Sequence, residues 1–301
     1  MSRQTVRACL CRAGSRWVLF ALVSALLAGG THAATSPVID PAVTGFIDEL
    51  AVGDQFDRRQ LRRWFAQLRV QHGVLKAIAH PSTALPWYAF RASHVTDTRV
   101  RGGIDYWQRH AAALARASAE YGVPEELIIA TVGIESFYGR LAGTSKVFAA
   151  LATLAFYYPP RAELFRRELK EFLLLTRELR VDPLQAKGSY AGALGVPQFL
   201  PSSYRRYAVD FNGDGRRDLW NHDDAIGSIA NYYKSYGWQA GEPVFVAVEQ
   251  QPAGPSDEFK LLLERGLKPH TTFDAIRRTG VSPAQVVADD KIGRASCRER
   301  V

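Results

Sequence analysis

Apolar residues recur at helical spacing over most of the chain up to residue 236. A helix is predicted over residues 40–51, because Asp40 is a good capping residue and Pro41 suits the first helical position. Residues 57–71 repeat this pattern, with one apolar face formed by Leu61, Trp64, Phe65 and Leu68. We interpret these aromatic side chains as core residues.

The next helices are separated by Pro and Gly. Residues 79–93 contain Pro, Ser and His and are predicted to be an ordered connection, and residues 98–121 to be a long, alanine-rich helix. Gly122 and Pro124 end that helix and begin the next. Further helices are predicted over residues 147–156, 161–180 and 224–236. The fold class is therefore mainly α.

The pattern changes after Gly237. Residues 243–249 alternate like a strand, and residues 251–256 are rich in Pro and Gly, which is typical of a turn or linker. The remainder, up to residue 290, is mixed. We expect a small β-containing region here.

Both ends of the chain differ from the rest. Residues 1–33 combine four arginines, an apolar run over residues 17–28 and a small-residue cleavage site, which is typical of a secretory signal peptide. No cysteine follows the apolar run at a lipidation position, so we expect a soluble exported protein, with an uncleaved anchor as the alternative. Residues 291–301 are basic and resemble translated sequencing adapter, so we exclude them from fold reasoning.

Removing both ends changes the charge of the protein. The whole chain has a formal net charge of +8, but the two ends hold eight of the basic residues and only one acidic residue, which leaves about +1. Nucleic acid is therefore not an expected partner. All three cysteines also lie in the ends, and the histidines show no metal-ligand spacing, so zinc is not expected.

Glu135 is the first candidate for chemistry. It lies at the end of an otherwise apolar helix and is followed by Ser-Phe-Tyr-Gly-Arg. Apolar neighbours destabilise the charged form of a carboxyl and raise its pKa, as a general acid requires. The alternative is a structural ion pair with Arg140.

Residues 187–204 hold too many glycines for a regular element and are predicted to be a shaped loop. Ser189, Gln198 and the tyrosines there offer hydrogen bonds and flat apolar faces that suit sugars. The alternative is a tight connection between packed helices. We favour a binding loop, because polar side chains on rigid loops are common at functional sites.

The segment from Asp210 to Asn221 matches the first part of a calcium loop. Oxygen donors fall at loop positions 1, 3, 5 and 9, a glycine falls at position 6, and position 7 offers a backbone carbonyl. Asn221 replaces the usual glutamate at position 12, so a longer loop would close on Asp224. We predict structural calcium, with an Asp/Gly-rich turn as the alternative. The predicted ligands are Asp210, Asn212, Asp214, Arg216, Asp218 and Asp224.

Six motifs occur in order between about residues 41 and 289: GIESFYGR at 133–140, LATLAFYYP at 151–159, KGSYAGALG at 187–195, PQFLPSSY at 197–204, YAVDFNGDG at 207–215 and DAIGSIANYY at 224–233. Together they resemble the membrane-bound lytic murein transglycosylase B family, glycoside hydrolase family 103. The resemblance implies a lysozyme-like α core at 123–240 with a calcium loop, after a helical N-terminal region at 34–122. A partial β-containing region at 241–290 would follow.

The same resemblance implies the site residues. Glu135 would be the catalytic acid/base, and Ser189, Gln198, Tyr232 and Arg161 would contact the glycan. Phe90 stands where the family has a tyrosine, and Pro160 where it has an arginine, so a hydroxyl and a cation are missing from the implied cleft. The family's aromatic C-terminal segment is also missing, so the shortened chain is expected to fold incompletely or to be inactive.

The implied reaction uses one carboxyl group. Glu135 would protonate the oxygen that links N-acetylmuramic acid to N-acetylglucosamine, and the C6 hydroxyl would then close a 1,6-anhydro ring. The alternatives are a hydrolytic muramidase and a calcium-dependent peptidoglycan-binding protein without turnover. We expect a periplasmic monomer that binds peptidoglycan strands, with cell-wall synthesis or division proteins as candidate partners.

Overall fold

A computed structural model describes residues 40–80, 87–241, 248–250, 256–264 and 272–283. The predicted signal peptide and the adapter-like tail lie outside these ranges. The described chain is mostly helical, as predicted. The helices are α1 (Pro41–Gly53), α2 (Arg58–Ala66), α3 (His72–Ala79), α4 (Trp87–His94), α5 (Asp97–Tyr121), α6 (Glu125–Ser136), α7 (Val147–Tyr157), α8 (Ala162–Leu179), α9 (Pro201–Tyr207), α10 (His222–Ser235), α11 (Asp257–Glu264) and α12 (Phe273–Arg278).

Two short antiparallel pairs make up the strands in the described residues. β1 (Ser145–Lys146) pairs with β2 (Lys187–Gly188), and β3 (Val248–Gln250) pairs with β4 (Ser282–Pro283). β3 overlaps the end of the strand predicted at 243–249, whereas residues 242–247 and 251–255 lie outside the described ranges. No helix within those ranges is long and apolar enough to cross a membrane.

The predicted helix over residues 57–71 is wrong in its last five residues, 67–71. Asp57 caps α2 as expected, accepting the backbone N–H of Arg59 at 2.8 Å, but α2 ends at Ala66 and α3 begins at His72. The N–H of Gln71 donates to the Thr153 hydroxyl on α7 at 3.0 Å. This contact joins residues 82 positions apart, so the local pattern could not indicate it.

The predicted connection at 79–93 is also wrong in part, because α4 occupies residues 87–94. The long helix was predicted correctly. Thr96 caps α5, and Gly122 ends it in the left-handed region at φ 71°. His110 has non-helical angles and marks a kink inside α5. The helices predicted at 147–156, 161–180 and 224–236 correspond to α7, α8 and α10 with ends shifted by one or two residues.

Two clusters of buried side chains hold these helices together. In the first, α1, α2 and α3 pack against α7, α8 and part of the 187–200 loop; Phe65 lies at its centre and makes edge contacts with Phe46, Phe148 and Phe156. In the second, α5, α6 and α10 pack together. Helices on both sides of the predicted domain boundary at residue 122 share this second cluster, and the boundary stays a prediction.

Candidate active site

Glu135 lies in the last turn of α6, a helix of twelve residues of which five, between Ile128 and Ser136, are buried. Two acidic residues, Glu125 and Glu126, open the helix and complement its dipole. Val132 and Gly133 are buried near its other end, and Glu135 is itself partly buried. The apolar helix predicted from the sequence therefore places the Glu135 carboxyl group at the edge of the core.

The turn after Glu135 has an uncommon backbone. Phe137, Tyr138 and Gly139 follow one another with φ of 50°, 60° and 83°, in the left-handed region that favours glycine. The Tyr138 hydroxyl donates to the carbonyl of Arg99 on α5 at 2.8 Å. Arg140 is exposed, and its guanidinium carbon lies 5.2 Å from the centre of the Phe137 ring.

A cavity of about 260 Å³ opens beside Glu135. Its lining comes from α6, from the end of the 187–200 loop and from α10, three segments that are distant in sequence. The structure thereby brings together three of the predicted site residues, Glu135, Gln198 and Tyr232. The other lining residues are Leu127, Ala130, Thr131, Ile134, Pro197, Phe199, Ile229 and Tyr233.

Gln198 is held in place by its own amide group. The Nε2 atom donates to the carbonyl of Gly195 at 2.7 Å and to that of Ala142 at 3.0 Å, and the residue has φ 53°. Both amide hydrogens are thus used inside the protein. Among the described residues none donates a hydrogen bond to the side-chain oxygen, so this atom can accept one from a ligand.

Tyr232 belongs to an aromatic wall of the cavity. Its ring centre lies 5.3 Å from that of Phe199 and 4.5 Å from that of Tyr236, with which it stacks. Tyr233 also lines the cavity, and its hydroxyl lies 3.0 Å from that of Thr131. Three cavity residues were not predicted from the sequence: Thr131, Phe199 and Tyr233. The last two lie in the motifs at 197–204 and 224–233.

Three other residues that were predicted to contact the glycan do not line this cavity. The Ser189 hydroxyl accepts the N–H of Ala193 at 2.9 Å and closes the turn inside the loop. Phe90 lies on α4, stacked on His94 with ring centres 4.0 Å apart. Arg161 is exposed, with its guanidinium carbon 5.7 Å from the centre of the Phe165 ring. Glycan contacts by these three residues stay predictions.

A pair of neighbouring histidines lies near the turn after Glu135. The rings of His110 on α5 and His222 on α10 lie 4.8 Å apart, and His222 Nδ1 lies 3.1 Å from the Tyr106 hydroxyl. A side chain at Gly139 would approach His222 to 3.0 Å, so the turn lies against His222. Burial lowers the pKa of both histidines, nearby Arg109 lowers it further, and Asp223 raises it.

The predicted calcium loop is wound around the carboxylate of Asp210. Its two oxygens accept the backbone N–H groups of Gly213, Asp214 and Gly215 at 2.8, 3.1 and 2.7 Å. Gly213 and Gly215 have φ of 79° and 83°, which fits the predicted need for glycine at position 6. The backbone is therefore shaped as the sequence motif requires.

Asp224 makes contacts that its predicted role as a calcium ligand does not include. It is fully buried, and its carboxylate accepts the N–H groups of Phe211, Asn212 and Asp218 at 2.8, 3.0 and 2.8 Å. These bonds tie the loop to α10. Asn221 caps the same helix. Within the described residues, no three His, Cys, Asp or Glu side chains are gathered closely enough to hold a metal ion.

Comparison with known proteins places this arrangement in a family. The profile of the family described as "Transglycosylase SLT domain" matches residues 39–297. Membrane-bound lytic murein transglycosylase B of Escherichia coli K12 is 40% identical over 256 residues, which cover 82% of this chain and 69% of that protein.

Solved structures agree with that result. The E. coli lytic transglycosylase Slt35 in complex with calcium is 40% identical, with a TM-score of 0.72 over 82% of this chain and 77% of that one. SltB1 of Pseudomonas aeruginosa is 43% identical, with a TM-score of 0.77 over 83% and 82%. SltB3 of the same species, in complex with NAG-NAM-pentapeptide, is 33% identical, with a TM-score of 0.66 over 79% and 62%. The resemblance seen in the sequence is confirmed, and the chain belongs to the transglycosylase SLT domain family, alongside the lytic murein transglycosylases.

Proposed function

We propose that this protein is a lytic transglycosylase that cleaves the β-1,4 bond between N-acetylmuramic acid and N-acetylglucosamine in peptidoglycan. The relatives that match most of the chain are lytic transglycosylases. The enzyme class predicted from the sequence is thus confirmed, and neither a hydrolytic muramidase nor a binding protein without turnover is favoured.

Glu135 is the acid and base of the proposed reaction. The observation that carries this assignment is that Glu135 is the one carboxylate among the described residues that line the cavity. Glycosidases that use water or a covalent intermediate place two carboxyl groups about 5 to 9.5 Å apart across the bond. A cavity with a single carboxyl group suits a reaction in which the substrate supplies its own nucleophile.

Glu135 acts first as an acid and then as a base. Glu135 gives its proton to the glycosidic oxygen as the bond from C1 of N-acetylmuramic acid to that oxygen breaks. The resulting carboxylate takes the proton of the C6 hydroxyl, whose oxygen attacks C1 of the same sugar. The products are a 1,6-anhydro sugar and a free 4-hydroxyl group, and the carboxyl group is protonated again.

The other cavity residues would position the sugar. The ring of Tyr232, supported by Tyr236 and Phe199, offers the flat apolar surface against which a pyranose packs. The oxygen of Gln198 can accept a hydrogen bond from a sugar N–H or hydroxyl. Ser189, Arg161 and Phe90, outside this cavity, would contact parts of the strand further from the cleaved bond.

Replacement of the proposed acid tests this assignment. Glu135→Gln keeps the size of the side chain and removes the proton transfer, so muropeptide release from purified peptidoglycan should fall about 10²- to 10⁴-fold while binding remains. Glu126→Gln, an exposed change on the same helix, is the matched control and should release products at the normal rate. Unchanged release by Glu135→Gln would remove Glu135 from the mechanism.

Product mass separates the two possible reactions. Transglycosylation yields an anhydro product one water lighter than the reducing-end product of hydrolysis. We expect the anhydro form from the wild type in mass spectrometry. Products with reducing ends alone would refute the transglycosylase proposal and favour a muramidase.

A calcium ion bound by the 210–218 loop is the second part of the proposal. The donor types suit calcium, and a relative was solved with it. The ligands would be the side chains of Asp210, Asn212, Asp214 and Asp218 and the carbonyl of Arg216, with Asp224 holding the loop closed. The three aspartates would have to move closer together on binding, since they are not gathered closely enough in this structure. Calcium should raise the unfolding temperature of chelator-treated protein, and Asp210→Asn should remove most of that gain; equal unfolding temperatures with and without calcium would contradict the site.

We also propose the predicted cellular setting. The regions 34–122, 123–240 and 241–290 would be the domains of an exported protein that works on peptidoglycan in the periplasm as a monomer. Cell-wall synthesis or division proteins are its candidate partners. Fractionation of cells that express the full reading frame tests the location, and recovery from the cytoplasm would contradict it.

A further inference from the structure

A cavity of about 860 Å³, more than three times the volume of the one at Glu135, lies at the C-terminal end of α8. It is bounded by the last turns of α8, by residues 180–187 and by residues 215–220. None of its lining residues belongs to the Glu135 cavity. We call this space the α8 groove, and its volume lies in the range of about 300 to 1,000 Å³ found for ligand pockets.

The walls of the α8 groove are held by their own hydrogen bonds. The N–H of Val181 donates to the carbonyl of Thr176 at 2.9 Å and ends α8. On the opposite side, the Tyr204 hydroxyl donates to the carbonyl of Arg217 at 2.7 Å. A ligand would therefore meet a preformed surface and lose little free energy in ordering it.

The charges in the α8 groove are unevenly paired. Glu178 pairs with Arg205 at 2.8 Å and with Arg217 at 3.5 Å, and Asp182 and Asp218 each accept a nearby backbone N–H. Three exposed cations of the groove form no ion pair within the described residues: Arg180, Lys187 and Arg216. Together with Arg217 these make four cations against three carboxylates in the groove, so a small excess of positive charge faces an anionic ligand.

Two exposed apolar side chains accompany these cations. Trp220 is 45% exposed and Val181 is 44% exposed, and both line the α8 groove. Such side chains offer apolar contact to small aliphatic groups, and cations beside them bind carboxylates through charge-assisted hydrogen bonds. This combination of cations and apolar side chains suits a short acidic peptide.

We propose that the α8 groove binds the stem peptides of peptidoglycan at a site separate from the Glu135 cavity. Stem peptides are short, carry free carboxylates and contain alanine methyl groups, so they match both the charge and the apolar contacts of the groove. The proposal rests on peptidoglycan being the substrate. The groove would hold a neighbouring part of the cell wall while the glycan strand is cleaved at Glu135.

Binding of a free stem pentapeptide, with no sugar attached, tests the proposal without turnover. Titration calorimetry would compare the wild type with Trp220→Ala and with the double variant Arg180→Gln/Lys187→Gln. We expect the double variant to bind about tenfold or more weakly, because two charged contacts are lost, and Trp220→Ala to bind severalfold more weakly. Wild-type binding should also weaken as salt is raised.

Matched controls are available elsewhere on the surface. Arg62→Gln removes an exposed cation and Tyr88→Ala removes an exposed aromatic ring, and neither residue lines the α8 groove. Both should bind the pentapeptide like the wild type. Circular dichroism would verify that all variants fold. Equal affinity in all variants, or equally tight binding of a peptide-free glycan oligomer to the groove, would overturn the proposal.

A second readout separates this proposal from the catalytic one. Cleavage of a peptide-free glycan oligomer should be unaffected in the groove variants, whereas release from intact peptidoglycan should fall through a higher KM. An inactive wild type that still bound the pentapeptide through Trp220 and Arg180 would refute the proposed reaction. It would leave the proposed binding of stem peptides by the groove intact. Loss of peptide-free cleavage in the folded groove variants would show that the groove belongs to the active site and would overturn its separate role.

Discussion

Phe137 and Tyr138, directly after the proposed catalytic helix end, have backbone angles that cost non-glycine residues about 1 to 2 kcal/mol each. Tertiary contacts offset that cost. Tyr138 occupies a slot between α5 and α6, where Cβ atoms added to Gly103 and Gly133 would lie 2.8 and 2.7 Å from its hydroxyl oxygen. The position of Glu135 thus depends on two glycines that have no chemistry of their own.

Gly133→Ala tests this dependence. The added methyl group collides with the Tyr138 hydroxyl and displaces the turn, so we expect the free energy of unfolding to fall by about 1 to 3 kcal/mol and kcat to fall with it. Urea unfolding and muropeptide release would measure the two effects.

Gly45→Ala is the matched control for that substitution. Gly45 is exposed inside α1, and no atom lies within 4 Å of an added Cβ. This change should stabilise the helix by about 0.5 to 1 kcal/mol and leave kcat unchanged. An equal gain in stability from Gly133→Ala would show that the Tyr138 slot is not tight.

At the scale of elements, α5 and α10 meet through His110 and His222. Both rings are largely shielded, the Nε2 atom of His110 is buried without a partner among the described residues, and Arg109 lies close by. Protonation would place two positive charges 4.8 Å apart beside Arg109, and the carboxylate of Asp223, 3.9 Å from His110 Nδ1, offsets this repulsion only in part. The contact between the two helices therefore favours the neutral form of each histidine.

A loss of stability in acid follows from this contact. The folded pKa of each histidine lies below its ordinary value of about 6.5, so the unfolded chain binds more protons and stability falls as the pH drops below about 6.5. At pH 8 the two histidines are neutral in both the folded and the unfolded protein, so they add no pH dependence to the free energy of unfolding.

The double variant His110→Phe/His222→Gln provides the test. Its free energy of unfolding should fall less than that of the wild type between pH 7.5 and about pH 5.5, when both are measured by urea unfolding and referred to their values at pH 8. Identical slopes in that window would exclude this pair as a source of acid sensitivity. The proposed carboxyl chemistry at Glu135 does not enter this measurement.

At the scale of the whole molecule, two core clusters meet inside the 187–200 loop. Leu194 belongs to the cluster around Phe65, whereas Val196, two residues later, packs with α5, α6 and α10. The loop is thus anchored in both cores at once. Since Gln198 follows directly, the shape of the cavity at Glu135 depends on the integrity of both clusters.

Phe65→Ala tests whether the two clusters unfold together. Phe65 is buried and its ring contacts three other phenylalanines, so its removal should cost about 3 to 5 kcal/mol. Because the loop joins the clusters, we expect one transition with a lowered midpoint, whether unfolding is followed by tryptophan fluorescence or by circular dichroism.

The exposed substitution Tyr88→Ala should shift the midpoint little, since Tyr88 is 77% exposed. Two separate transitions in Phe65→Ala would mean that the clusters are independent folding units, in line with a domain boundary between them. A single transition would place the loop and both clusters in one cooperative unit.

The sequence alone determined those features that rest on local spacing. Helical periodicity and capping residues predicted the mainly α fold and the start of α1 and α2, and the ordered motifs predicted the family. The apolar run before Glu135 identified the candidate acid. The glycine and aspartate spacing of the 210–218 loop predicted its wound backbone, because turns of this kind depend on nearest neighbours.

Only the tertiary structure decided the features that depend on contacts between distant residues. The bond from Gln71 to Thr153 holds the start of α3, where a single longer helix was predicted, and the carboxylate of Asp224 ties the loop to α10. Three segments meet around Glu135, and the unpaired cations of the α8 groove come from segments that are separate in sequence. Side-chain packing and charge pairing depend on distance in space, which no local pattern of residues records.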